Sequence, residues 1–364
     1  MPIGTKADPA NPRRILVVRT DRLGDVVLTL PILPILRSCF PEAHLAMLLN
    51  RYTGEIVEGN PYLNEFIWYD GAGGPVPFWQ MRRELRIRNF DAAVVVYPRF
   101  RLAWLMALAG IPVRIGTGFR FYSFLFNKRV YEHRKDAARH EVEYNIGLLR
   151  ELGCTHDGEP EFFIRVPAEA RRRVREITVQ AGSRKIVVLH PGSGGSAREW
   201  PASSFGSLAE RLLKKDDVNI FVTGTDREKE KVNEVASLTG GKAVSLAGKL
   251  TVKELAALLE QAALFVANST GPLHIAAALG TPVVGIYPQH TAMSIRRWGP
   301  QTMRKRVFVP SRPLDCKECV LKDSVPCECM ASITVDEVYA GATELLYSSG
   351  NSRVQLTSIG KGSA

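Results

Sequence analysis

A chain of 364 residues exceeds what one hydrophobic core usually supports, so two domains are expected. A hydrophobic share of 45% and a charged share of 23% exclude a fibrous or wholly disordered protein. The net charge of +11 asks for anionic partners (nucleic acid, phosphorylated compounds or an anionic membrane surface) without choosing among them.

The start, MPIGTKADPANPRR, has no apolar h-region, so no signal peptide is expected and residues 1–13 read as a disordered leader. No uninterrupted apolar run reaches spanning length; the most apolar piece, Leu102–Val113, is broken by Gly110 and Pro112. A cytoplasmic chain follows, in which the six cysteines are thiols or metal ligands before they are disulfides. Arg14–Arg19 (RILVVR) is a buried-type strand that runs through Thr20-Asp21-Arg22-Leu23-Gly24-Asp25 into an apolar helix over Val26–Arg37. A carboxylate at a helix entrance is either a simple cap or a positioned base. Strands at His44–Leu49 and Glu65–Tyr69, a helix near Tyr52–Glu58, a basic helix over Phe78–Arg88 and a strand at Ala92–Tyr97 continue a strand–helix alternation that argues a parallel α/β sheet.

Arg99 to Arg139 is the most basic and aromatic part, with Phe119, Phe121, Tyr122, Phe124 and Phe126 interleaved with Arg120, Lys128 and Arg129. It reads as a surface for an anionic amphipathic acceptor at a membrane, as a single-strand nucleic-acid platform, or as a half-buried loop. His140–Leu152 reads as a helix stopped by Gly153, and Cys154–Pro167 as a connection. A basic helix over Ala168–Gln180 leads to the buried strand Lys185–Leu189, which ends in HPGSGGSAREWP. That glycine-rich turn is neither a dinucleotide fingerprint nor a P-loop, yet successive N–H groups at Ser193, Gly194 and Gly195 could line an anion site. A helix over Phe205–Lys214, a strand at Asn219–Thr223, a helix over Arg227–Leu238, a strand at Val244–Leu246 and a helix over Val252–Gln261 follow. Leu264–Ala267 is then a strand, Asn268–Gly271 a turn, and Leu273–Leu279 a small apolar helix with Pro272 at its start. Ser269 or Thr270 would cap it, Gly280 would end it, and Val283–Ile286 is a buried strand. The unit is either a phosphate-facing helix start or an ordinary crossover.

RILVVRTDRLGDVVLTLPIL, HPGSGGSAREWP and NSTGPLHIAAALGTPVVGIYP, in that order, make the chain resemble glycosyltransferase family 9, the lipopolysaccharide heptosyltransferases, over about Arg14 to Tyr347. The resemblance implies a GT-B fold: an acceptor-binding Rossmann-like domain (14–167) and a nucleotide-sugar-binding one (168–334) facing across a cleft. A helix over 335–347 would return to the first domain, and 348–364 would form a disordered tail. It implies an inverting, metal-independent transfer, typically from ADP-heptose, onto an anionic lipid-linked acceptor at the inner face of the cytoplasmic membrane, by a monomer with no cofactor and no nucleic-acid partner.

Residue by residue, Asp25 falls on the family's catalytic base, in L-G-D, with Thr20, Asp21 and Arg22 at the neighbouring polar positions; these, with Gly24 and with Arg120 of the basic aromatic segment, are expected to bind the acceptor. Arg198, in R-E-W-P, stands where the family has Lys in K-x-W-P, and Glu228 where an acidic residue contacts the ribose. Thr270, Gly271 and His274 match D-[TS]-G-x-x-H, with Ser269 in place of its Asp. These residue types suit the chemistry: a carboxylate takes the acceptor proton as attack develops, and cations and N–H groups meet the charge growing on the leaving diphosphate. Cys316, Cys319, Cys327 and Cys329 have a spacing that could hold zinc or an iron–sulfur cluster, although C-x-C is not the usual second half; Cys39 and Cys154 read as core or loop thiols. The competing readings are a GT-B-like sugar-nucleotide epimerase and a nucleic-acid-binding protein.

Overall fold

The computed structural model describes residues 11–179, 182–311 and 328–348. The chain forms two compact units, Met1–Arg134 with Ala138–Arg165, and Lys135–Ala137 with Val166–Ala364. Among the described residues each unit carries one six-stranded sheet.

In the first unit β1 (Arg14–Val18), β2 (His44–Leu49), β3 (Glu65–Trp68), β6 (Ala92–Val95), β7 (Val113–Thr117) and β8 (Lys128–Val130) pair in parallel, in the order β3-β2-β1-β6-β7-β8; β4 (Asp70–Gly71) and β5 (Gly74–Pro75) form a small separate hairpin. Ile15 to Val18 are fully buried, as a central parallel strand covered by helices on both faces must be. The core is filled by Leu16, Val18, Leu48 and Val95 from the sheet. Met81 and Leu85 come from α4 (Phe78–Ile87), and Leu102 and Met106 from α5 (Phe100–Leu108).

The expected helix over Val26–Arg37 is in fact two, α1 (Leu23–Val27) and α2 (Ile32–Cys39). After Val27 the hydrogen bonds tighten, Thr29 to Val26, Leu30 to Val27 and Ile32 to Thr29, and Pro31 has no N–H to restore the ladder. A short helix, α3 (Arg51–Gly54), follows β2. Residue 13, expected within a disordered leader, is tied to the sheet: the N–H groups of Arg13 and Arg14 both donate to Asp91 Oδ2 at 2.8 Å. Residues 1–10 lie outside the described residues, as do 349–364 and the cysteines 316, 319 and 327. The helix expected from His140 is α6 (Glu141–Gly147), which tightens into a 3₁₀ stretch, Leu148–Leu152, and stops at Gly153 with φ +80°. His140 caps it reciprocally with Glu143, accepting from Val142 N–H and donating its own N–H to Glu143 Oε2. Cys39 and Cys154, read as core or loop thiols, lie side by side with their Cα atoms 6.0 Å apart across 115 residues of sequence, a proximity no local pattern encodes.

In the second unit α7 (Ala168–Thr178) precedes β9 (Lys185–His190), α8 (Ala202–Lys215), β10 (Val218–Val222), α9 (Lys229–Ser237), β11 (Val244–Ser245) and α10 (Val252–Gln261). Then come β12 (Leu264–Asn268), α11 (Gly271–Ala278), β13 (Val283–Ile286), α12 (Ile295–Trp298) and β14 (Lys305–Phe308), and the sheet order is β11-β10-β9-β12-β13-β14, all parallel. The helix Val335–Tyr347, expected to return to the first domain, packs on the second unit. Its Val338, Ala342, Leu345 and Leu346 are buried in the core of the second, with Leu212 of α8 and Val284 and Ile286 of β13. An apolar stripe of that kind is placed by whichever face receives it, which the stripe itself does not specify. Among the described residues no helix is long and apolar enough to cross a membrane.

Candidate active site

Both sheets share one topology: in order of appearance their strands run 3-2-1-4-5-6, leaving out the hairpin. The chain departs in opposite directions from strands one and four, and the carboxyl ends beside that switch are where ligands settle in open parallel sheets. The switch lies between β1 and β6 in the first unit and between β9 and β12 in the second.

At the end of β1, Arg19 is 2% exposed and its guanidinium is divided among three carboxylates. Nε donates to Asp21 Oδ1 at 2.8 Å, Nη2 to Asp25 Oδ1, and Nη1 lies 3.6 Å from Glu141 Oε1. Glu141 has a second cation, Arg134, at 2.5 Å, whereas among the described residues Asp21 and Asp25 pair with Arg19 alone. Burial pushes Asp21 up to about 7; the pull of Arg19 opposes this, and the neighbouring charge of Asp25 adds to it. Arg19 itself is raised, because its three acidic neighbours outweigh the burial that would lower it. Asp25 is not a cap: Arg22 holds the N-cap position of α1 without a side-chain cap bond, and Asp25 is the third helical residue, turned to Arg19. Its side chain is 18% exposed against 10% for Asp21 and 2% for Glu141, so it is the carboxylate of the group that a substrate reaches most easily.

The frame around it is fixed by further bonds. Thr29 Oγ1 donates to Asp25 O, Asn50 Nδ2 to Thr20 O, and the Tyr52 hydroxyl to Asp21 O at 2.9 Å. Tyr52 is pushed up to about 12 by burial and by the charges of Asp21 and Asp25. Gly24 is buried and Arg22 exposed on the same turn. Arg120 stands apart, exposed on the segment between β7 and β8, with its N–H donated to Ser123 Oγ.

In the second unit the turn after β9 is held by carboxylates. Ser193 N–H donates to Glu199 Oε1 at 2.7 Å and Gly194 N–H to Glu228 Oε1 at 3.1 Å, while Glu228 Oε2 accepts from the N–H and hydroxyl of Thr225. Two of the N–H groups expected to line an anion site are thus satisfied by the protein's own anions. Glu228 is lowered: burial alone would raise it, and the bonds from Thr225 together with neighbouring His190 prevail. Glu199 pairs in turn with Lys231. Gly194 and Gly195 sit at φ +56° and +72°, where a side chain would be strained. His190 is tied through Nδ1 to Thr223 Oγ1 at 2.9 Å, and burial lowers it.

The turn after β12 is joined to this one. Asn268 Oδ1 accepts from Trp200 N–H at 2.8 Å and its Nδ2 donates to Pro191 O at 2.7 Å, so one buried amide grips both ends of the 191–200 turn. Ser196 Oγ donates to Ser269 O at 3.0 Å. The turn that carries Ser193, Gly194, Gly195 and Arg198 is thereby joined to the one that carries Ser269, Thr270 and Gly271, with buried His274 one turn into α11. The expected hydroxyl cap is absent: Thr270 holds the N-cap position without a side-chain bond, and the buried Tyr287 hydroxyl donates to Trp298 O. The start of α11 is therefore left without a side-chain cap: Pro272 brings no N–H and Leu273 N–H returns to Thr270 O at 3.2 Å, so Gly271 supplies the peptide N–H of the first turn. At the other end Gly280, φ +79°, and Thr281 return N–H bonds to Ala277 and Ala276, closing the helix as expected.

A family model described as glycosyltransferase family 9 (heptosyltransferase) matches residues 78–324. The chain belongs to glycosyltransferase family 9. It is 29% identical over 296 residues to a glycosyltransferase of Haemophilus influenzae, covering 79% of this chain and 86% of that one. It is 26% identical over 283 residues to lipopolysaccharide heptosyltransferase 3 of Escherichia coli, covering 76% and 83%. Among solved structures, a family 9 glycosyltransferase from Veillonella parvula superimposes with a TM-score of 0.80 at 23% identity, over 94% of this chain and 99% of that one. The ADP-heptose lipopolysaccharide heptosyltransferase II of E. coli does so with 0.74 at 22% identity, over 92% and 98%. The fold is of the GT-B type, and this family 9 member is a glycosyltransferase.

Sequence reading missed Arg19, Glu141, Glu199, Lys231 and Asn268. Arg19 had a signal, an arginine closing an otherwise apolar buried strand; Glu141 and Lys231 had none, since their partners are distant in sequence. One consequence is testable on stability alone. A Cβ on Gly192 would run into the Glu228 carboxylate, which is pinned on its far side by Thr225. Gly192→Ala should displace it and cost about 1–3 kcal/mol in urea unfolding; a loss near zero would mean the carboxylate relocates freely.

Proposed function

We propose that this enzyme transfers a heptose from ADP-heptose to an anionic, lipid-linked lipopolysaccharide core acceptor at the inner face of the cytoplasmic membrane, with inversion and without a metal. The observation that carries this reading is the Asn268 clamp, which sets a glycine turn and the uncapped start of α11 side by side at the switch point of the second sheet. A diphosphate suits the α11 start, because the N–H of Gly271 and the helix dipole favour negative charge there. The names of the relatives, heptosyltransferases acting in lipopolysaccharide assembly, support the same donor and acceptor.

In this reading Asp25 takes the proton of the acceptor hydroxyl as it attacks the anomeric carbon, and Thr20, Asp21, Arg22, Gly24 and Arg120 position the acceptor. Ser193, Gly194, Gly195, Glu228, Ser269, Thr270, Gly271 and His274 hold the donor. Arg198 and the α11 start meet the charge that grows on the leaving diphosphate, an interaction stronger in the transition state than in the ground state. Arg198→Gln should lower kcat/KM about tenfold to a hundredfold, the worth of a hydrogen bond to a charged group, with Arg198→Lys recovering part of it. Equal activity of both variants would remove Arg198 from the site.

Product mass spectrometry with a panel of nucleotide sugars and a core-lipid acceptor tests the proposal, and thermal shift gives an independent reading. A donor present at about 100 times its Kd adds about 2.7 kcal/mol of stability. A heptose adduct on the acceptor is expected; no adduct from any ADP-sugar, or a shift with UDP-sugars only, would overturn the donor assignment.

A further inference from the structure

Part of the aromatic run after Arg99 is core: Tyr122 and Phe126 are buried. The rest is not. Trp79 is 66% exposed, Phe121 82% and Phe124 65%, and Phe100 and Trp104 are also exposed. These rings are continuous. Trp79 meets Phe78 at 5.2 Å between centroids, Phe78 meets Trp104 at 5.3 Å, Trp104 meets Phe100 at 5.3 Å, and Phe100 meets Phe121 at 5.8 Å. One strip thus crosses the N-terminal ends of α4 and α5 and the 3₁₀ turn Ser123–Leu125. Soluble proteins rarely leave so contiguous an apolar surface without using it.

Its charge is one-sided. Between Phe78 and Tyr131 the acidic residues are Glu84 and Asp91 alone, against ten arginines and lysines. Both acids are engaged, Glu84 with Arg88 and Asp91 with the N–H groups of Arg13 and Arg14. Arg82 lies over Trp79 at 5.7 Å and Arg101 over Phe78 at 5.4 Å, so cations border the rings directly. Rings at the depth of lipid headgroups with basic side chains reaching phosphates are the chemistry of a protein lying on an anionic bilayer. Topology adds a second argument. The segment after β6 that opens α5, and the 3₁₀ turn after β7, leave the carboxyl edge of the first sheet, the same edge from which the Asp25 turn leaves β1.

We propose that the Trp79–Phe78–Trp104–Phe100–Phe121 strip, with Phe124 and the flanking arginines, is the surface by which this enzyme docks on an anionic phospholipid bilayer. The inference deepens the lipid-linked reading of the acceptor and rests on it for its purpose, but its test needs no sugar transfer. The full-length chain is spun with vesicles of phosphatidylglycerol and phosphatidylethanolamine, and separately with phosphatidylcholine alone. Binding to the anionic vesicles, weakened by salt, is expected, with bromolipid quenching of tryptophan fluorescence. Trp79→Ser with Phe121→Ser and Phe124→Ser should lower partitioning roughly tenfold or more, with an unchanged melting curve because the three side chains are exposed. Transfer to a delipidated soluble acceptor should persist in this variant.

Undiminished binding by the triple variant, or equal binding to neutral vesicles, would overturn the surface assignment and leave the transferase reading standing. Vesicle binding without transfer from any donor would do the reverse. Capture of single-stranded oligonucleotide in place of vesicles, lost in the triple variant, would assign the strip to nucleic acid and overturn the proposal.

Discussion

Replacing Asp25 with asparagine should slow sugar transfer by about 10² to 10⁴-fold, the range that a positioned general base contributes. The substitution keeps the shape of the side chain and removes its capacity to take a proton. Donor affinity should stay within about twofold, since the proposed donor residues belong to the second unit. Single-turnover kinetics with saturating donor, together with nucleotide titration, separate the two effects. Turnover equal to that of the native chain would remove Asp25 from its role. The same variant offers a check on the local electrostatics: the charge of Asp25 helps to raise Asp21, so without it Asp21 should titrate at lower pH.

The second large effect concerns Arg19. Arg19→Met fills much of the same volume but leaves Asp21, Asp25 and Glu141 short of a buried cation, and it should cost about 3–5 kcal/mol of stability. Its pH dependence has a defined sign. Asp21 moves from 3.8 to about 7 on folding, so the folded chain binds that proton more tightly than the unfolded one. The resulting stabilisation is complete below about 4 and is lost as pH rises through about 7. Asp21→Asn should abolish that slope. In Arg19→Met the loss should steepen toward alkaline pH, because more unpaired carboxylates must ionise, and Arg19→Lys should recover part of the stability. Urea unfolding at several pH values measures this; a pH-independent loss below about 1 kcal/mol would show that the guanidinium is not the counter-charge.

What the sequence made legible follows from how local each cause is. β1, β9 and β12 were readable because Ile15–Val18, Val187–Leu189 and Leu264–Ala267 are apolar on both faces. The close of α11 was readable because only glycine sits easily at φ +79°. The break between α1 and α2 was hidden, because Pro31 and Pro34 stand in a run whose apolar pattern continues across them. β8 and β14, edge strands of Lys and Arg with half-exposed faces, gave no alternation to detect. At the site, Asp25, Arg198 and the 268–271 turn could be picked out by motif. The counter-ions that govern them could not, because Arg19 meets Glu141, and Glu199 meets Lys231, only after the sheets have formed.

Asn268 has a practical consequence. Its amide spans two carbonyl-to-amide gaps at once, from Trp200 and Pro191, across 68 and 77 positions of sequence. The 191–200 turn is therefore not a portable cassette. An engineer grafting it into another scaffold to change donor preference would have to carry residue 268 with it, or the loop would arrive without its hinge pins.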